Sequence, residues 1–153
     1  MNFFEAISQG RIEDVKQQVT ANPGLLAQRD PHGFLPLTLA TYHHQYNLTQ
    51  YFLEQGVNVN AQDAAGNTAL MGVCFKGYSD MAQLLLEHGA AVNVQNSQGA
   101  TALIYAATFG QLEIAQLLLE HGADKSLEDH QGKTAYWHAQ SKGVPGVMEL
   151  LED

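Results

Sequence analysis

The sequence predicts an all-α protein: a short solenoid of stacked helix-turn-helix units with β-turn tips. Three observations carry that expectation. The heptapeptide LLLEHGA is written twice, from Leu84 to Ala90 and again from Leu117 to Ala123. Glycines stand at Gly33, Gly66, Gly99 and Gly132, and a second series runs Gly56, Gly89, Gly122, each with a step of 33 residues. Each period also holds two apolar-rich blocks, divided in the later units by Gly77, Gly110 or Gly143. A catalytic constellation needs one copy, whereas a chain that stacks similar layers needs the same packing surface in every layer.

The opening segment fits half of this template: NFFEAISQ, then Gly10, then RIEDVKQQVTANPG, which reads as an atypical capping unit over residues 1–29. Full units follow at 30–62, 63–95 and 96–128, and a shorter capping repeat at 129–153. Each opens on Asp30, Asp63, Asn96 or Asp129, three residues before a glycine, which suits a β-turn with the acid or amide first and glycine fourth. Thr68, Thr101 and Thr134 then stand where an N-cap is wanted, before first helices such as ALMGVCFK. Pro36 takes the first helical position in the unit that lacks that threonine and has Leu35 instead. Second helices such as DMAQLLLEH end on a glycine suited to a left-handed stop. Because one helix pair cannot bury its own apolar face, Leu70, Leu84, Leu85, Leu103, Leu117 and Leu118 should pack between neighbouring layers.

The pattern resembles the ankyrin repeat, whose unit is 33 residues long. DAAGNTALMGVCFKGYSDMAQLLLEHGAAVN and NSQGATALIYAATFGQLEIAQLLLEHGAD follow its motif of turn, T-P-L-H helix, glycine, leucine-rich helix and G-A-D-V-N over their whole length, and the resemblance covers about residues 3 to 153. Ala69, Ala102 and Ala135 replace the motif proline, and Thr38, Met71, Ile104 and Trp137 replace its histidine. Alanine preserves the helix. The histidine's polar stitch to the turn must be absent or made differently. The first full unit is the loosest, with His44 where the inter-helix glycine belongs.

Composition narrows the function classes. The 153 residues make one domain, and 45% hydrophobic against 15% charged residues excludes disorder. The start, MNFFEAISQGRIEDVKQQ, lacks the basic flank and apolar run of a secretory leader, and no stretch of eighteen apolar residues signals a membrane span. Cys74 is the lone cysteine and cannot form an internal disulfide, which fits a reducing compartment, so a cytoplasmic location is expected. A net charge of −9 with seven Lys and Arg argues against nucleic acid as partner.

Candidate chemistry is sparse. His88 and His121 sit at equivalent points of adjacent layers, yet no third or fourth ligand completes a metal set, and a helix C-terminus accounts for both. Successive His43 and His44 point to different sides of a helix. Cys74 takes a slot where the motif has alanine, so a small buried thiol is expected. Acidic pairs such as Glu13–Asp14 and Glu128–Asp129 read as solvated faces, and Gly10, Gly24 and Gly33 lack the spacing of a phosphate loop. No catalytic residue, cofactor or metal is therefore expected.

What remains is the surface. In ankyrin-like stacks, turn tips and the outer part of each first helix line a concave face where partners commonly bind. Carried over position by position, the resemblance selects Pro31, His32, Phe34, Tyr42 and His43, then Ala64, Ala65, Asn67, Phe75 and Lys76. Ser97, Gln98, Ala100, Thr108 and Phe109 follow, then His130, Gln131, Lys133, Ser141 and Lys142. No carboxylate occurs among them, while Glu54, Asp80, Glu87, Glu113, Glu120 and Glu149 fall on second helices, the convex back. The expected function is a monomeric, non-enzymatic module that binds a protein partner through Phe34, Tyr42, His43, Phe75, Lys76, Phe109 and Lys142. The bland alternative for Phe75 and Phe109 is packing between layers. Rival functions are an inhibitor or immunity-type protein that blocks one enzyme, and a histidine-based metal protein.

Overall fold

The computed structural model describes residues 1–152, which form helices and turns with no strand. Five helix pairs follow one another: α1 (Phe3–Ser8) with α2 (Ile12–Ala21), α3 (Pro36–Tyr42) with α4 (Tyr46–Glu54), α5 (Ala69–Lys76) with α6 (Ser79–Glu87), α7 (Ala102–Thr108) with α8 (Leu112–Glu120), and α9 (Ala135–Lys142) with α10 (Pro145–Leu151). A 3-10 turn, Pro23–Ala27, separates the first pair from the second. First helices pack in the order α1, α3, α5, α7, α9; among second helices, α6 packs on α8 and α8 on α10.

Helix starts are fixed by the predicted chemistry. Thr68, Thr101 and Thr134 accept hydrogen bonds from the backbone N–H of Met71, Ile104 and Trp137 at 3.3, 3.1 and 3.2 Å. Each removes one unpaired donor from a helix end. Leu35 makes no such bond, and Pro36 follows it at the first position of α3. Asn2 caps α1 by accepting from Glu5 N–H at 2.8 Å, with its amide reaching back to the Glu5 carboxylate at 3.1 Å.

The core runs continuously along the stack. Phe52, Met81, Leu85, Leu103, Ile114 and Leu118 are among its largest fully buried side chains. The layer leucines behave as expected with one correction: Leu70, Leu84, Leu85, Leu103 and Leu118 are buried, but Leu117 is only partly covered. Its layer ends against α10, seven residues long where α6 and α8 have nine, so less apolar surface closes over it.

Candidate interaction surface

Each turn tip is built around its first side chain. Asp30 Oδ1 accepts from the N–H groups of His32 and Phe34, both at 2.9 Å, and its carbonyl accepts from Gly33 N–H at 2.9 Å. Asp63, Asn96 and Asp129 repeat the arrangement. Such a turn is self-satisfied, so the residues between its bonds are free to face outward.

Neighbouring tips are stitched directly. Ser97 N–H donates to Ala65 O at 3.0 Å and His130 N–H to Gln98 O at 2.9 Å. The close approach explains Gly99: at φ +78° a Cβ there would stand 2.9 Å from the His130 backbone nitrogen. Asn96 Nδ2 donates to Asn67 Oδ1 at 2.9 Å and to Tyr105 Oη at 3.0 Å. His138 Nε2 lies 2.8 Å from Asp129 Oδ2. The stitch that the motif histidine makes elsewhere is thus made here from the next position along the helix, by Tyr105 and His138. Burial pushes the Asp129 carboxyl up, but the Lys133 N–H, the His138 ring and the Gln131 N–H outweigh it and hold the group below the ordinary aspartate range.

The first helices carry a row of half-exposed rings. Phe34 is 36% exposed, Tyr42 49%, Phe75 49%, Phe109 44% and Trp137 41%. Lys76 Nζ lies 4.6 Å from the Tyr42 ring centroid, within cation–π range. His43 is exposed and stands edge-on to Tyr42 at 5.4 Å. Phe75 and Phe109 meet edge-to-face at 4.8 Å, and Tyr105 stacks parallel to Phe109 at 6.4 Å. The two expectations for Phe75 and Phe109 therefore both apply in part: the rings pack across the layer boundary and still present an open face. In the last unit the cation over a ring is Lys133, 4.3 Å from the Trp137 centroid. Lys142 is exposed at the last turn of α9 and is not brought to that ring. Trp137, Tyr105 and Lys133 are the contributions to this row that the selection of site residues missed. Their signal was available only in the loss of the motif histidine, which left the stitch to a neighbouring side chain and freed Trp137 for the surface.

Glu54, Asp80, Glu87, Glu113, Glu120 and Glu149 lie on α4, α6, α8 and α10. His88 and His121 turn Nδ1 back to the carbonyls of Leu84 and Leu117 at 3.0 and 2.8 Å, each closing the end of its own helix. His44 has a different part from the one its loose position suggested. It takes the glycine-like conformation at φ +56°, stacks on Tyr78 at 4.1 Å and places Nε2 2.9 Å from both carboxylate oxygens of Asp80. Cys74 is fully buried, and burial pushes its thiol well above the ordinary range, which makes it a poor nucleophile. Among the described residues no helix is long and apolar enough to cross a membrane, and no cluster of three or more His, Cys, Asp or Glu side chains is arranged to hold a metal ion.

A family model described as ankyrin repeats in three copies matches residues 3–96, 37–129 and 89–153.

Proposed function

From the premise that the chain belongs to the ankyrin-repeat family, whose members are in general protein–protein interaction modules, we propose that it acts as a single, non-enzymatic, cytoplasmic domain that holds a protein partner on the face formed by turn tips and first helices. The observation that supports this most is the ring row of Tyr42, Phe75, Phe109 and Trp137 with Lys76 and Lys133 lying over it. Large rings supply contact area at low entropic cost, and cations beside them fix an acidic group of the partner. Phe34, His43 and Lys142 extend the same face. The convex acids are spread along solvated helices and give a partner no apolar anchor.

The test is affinity capture from the native host, followed by titration of two double variants against the captured partner. Phe75→Ala with Phe109→Ala should weaken binding by at least about 2 kcal/mol while circular dichroism stays unchanged. Glu87→Gln with Glu120→Gln should leave it nearly unchanged. The reverse pattern would place the site on the back of the stack. If the captured partner is an enzyme, its activity at stoichiometric ratios separates an inhibitor from a scaffold.

A further inference from the structure

A cleft of about 410 Å³ opens at one end of the row, bounded by α1, the first turn and α3. Phe34, Thr38, Leu39 and Tyr42 give it an apolar wall, and His32 and His43 complete it. Asp30 is the single carboxylate lining it, and its Oδ1 is taken up by two N–H groups of its own turn at 2.9 Å. The cleft exists because of one residue. Thr38 stands in register with Met71, Ile104 and Trp137, and these larger side chains occupy the corresponding space in later units, Met71 and Ile104 as buried core and Trp137 as a ring under Lys133.

Its volume suits one or two inserted side chains rather than a whole segment, in the lower part of the range of ligand pockets. Charge selects the occupant. The chain carries a net charge of −9, and the acids of the second helices repel an acidic partner from the back. At the cleft the sign reverses: Lys76 Nζ lies 4.6 Å from the ring of Tyr42, which is itself part of the wall. We propose that this cleft takes one aromatic or large aliphatic side chain from an acidic segment of the partner protein, with a flanking carboxylate meeting the Lys76 ammonium. The proposal rests on the groove reading above and sharpens it. A basic segment would lose the Lys76 contact, and a purely polar one would leave the apolar wall unfilled.

The experiment selects binders to the whole chain from a displayed library of random 12-residue peptides, then titrates the enriched peptides against three forms. Thr38→Trp fills the cleft with the residue that the last unit carries in register, so the helix should tolerate it, and Lys76→Glu reverses the charge. Phe75→Ala with Phe109→Ala empties the middle of the row, and thermal melts verify folding of all three. The expected result is a consensus with one large apolar residue beside Asp or Glu, with affinity falling at least about tenfold in Thr38→Trp and in Lys76→Glu. Peptides that lose binding only in the phenylalanine double variant would overturn the cleft and leave the groove reading standing. A basic or polar consensus, or a selection that enriches nothing, would also overturn the cleft proposal. Peptides indifferent to all three variants, and lost instead in Glu87→Gln with Glu120→Gln, would overturn both.

Discussion

Gly72 is a helix-interior residue of α5 where an added Cβ would meet nothing within 4 Å. Glycine there carries the entropy cost of a free backbone with no steric reason, so Gly72→Ala should raise stability by about 0.5–1 kcal/mol in urea unfolding. Gly99 is the opposite case. Its φ of +78° and the His130 nitrogen at 2.9 Å leave no room for a methyl group, and Gly99→Ala should lose roughly 1–3 kcal/mol. If the two substitutions shift the midpoint alike, the turn-to-turn approach is not what selects glycine. In the core, Leu85→Ala and Leu118→Ala each vacate a fully buried position and should cost roughly 2–5 kcal/mol. A loss below about 1 kcal/mol at both would remove them from the central layer contacts. Unlike these leucines, which the repeat identifies directly, His44 could not be placed from sequence. Its left-handed backbone costs about 1–2 kcal/mol for a residue with a Cβ, and only the distant Tyr78 and Asp80 explain why it is kept.

The last unit is joined to its neighbour by an acid-sensitive element. The Asp129 carboxylate holds the N–H groups of Gln131 and Lys133 and faces His138. A carboxyl held below its unfolded value contributes stability that is present above about pH 4 and is lost as pH falls through the folded value. Trp137, the single tryptophan, lies on α9 next to His138, so its fluorescence reports this element alone. On acidification its emission should change before total helicity falls. Asp129→Asn should abolish that early phase, because Asn96 shows that an amide oxygen makes the same two backbone bonds one unit earlier. Coincident fluorescence and dichroism transitions in both proteins would place the acid-labile link elsewhere. The turn itself was legible from Asp-x-x-Gly spacing. The His138 partner was not, because a side chain nine residues away meets the turn only once the helix has docked over it.

Across the whole stack, stability should be graded. Backbone bonds tie the second tip to the third and the third to the fourth, whereas the first and second are bridged by the exposed Arg29 guanidinium, 2.8 Å from Gly33 O and 3.1 Å from Gln62 O. A long exposed side chain is a weaker tether than a paired backbone. Amides of α3 and α4 should therefore exchange with deuterium sooner than those of α5 to α8, and uniform protection would contradict the gradient. By itself the sequence determined the period, the caps, the glycine stops and the layer core, because each is a local pattern repeated until chance is excluded. Only the tertiary structure decided which rings stay half open, that Lys133 rather than Lys142 covers Trp137, that Tyr105 and His138 replace the motif histidine, and that Thr38 leaves a cleft. The reason is physical: exposure and side-chain pairing depend on what a neighbouring layer places 33 residues away, and no local propensity encodes that distance.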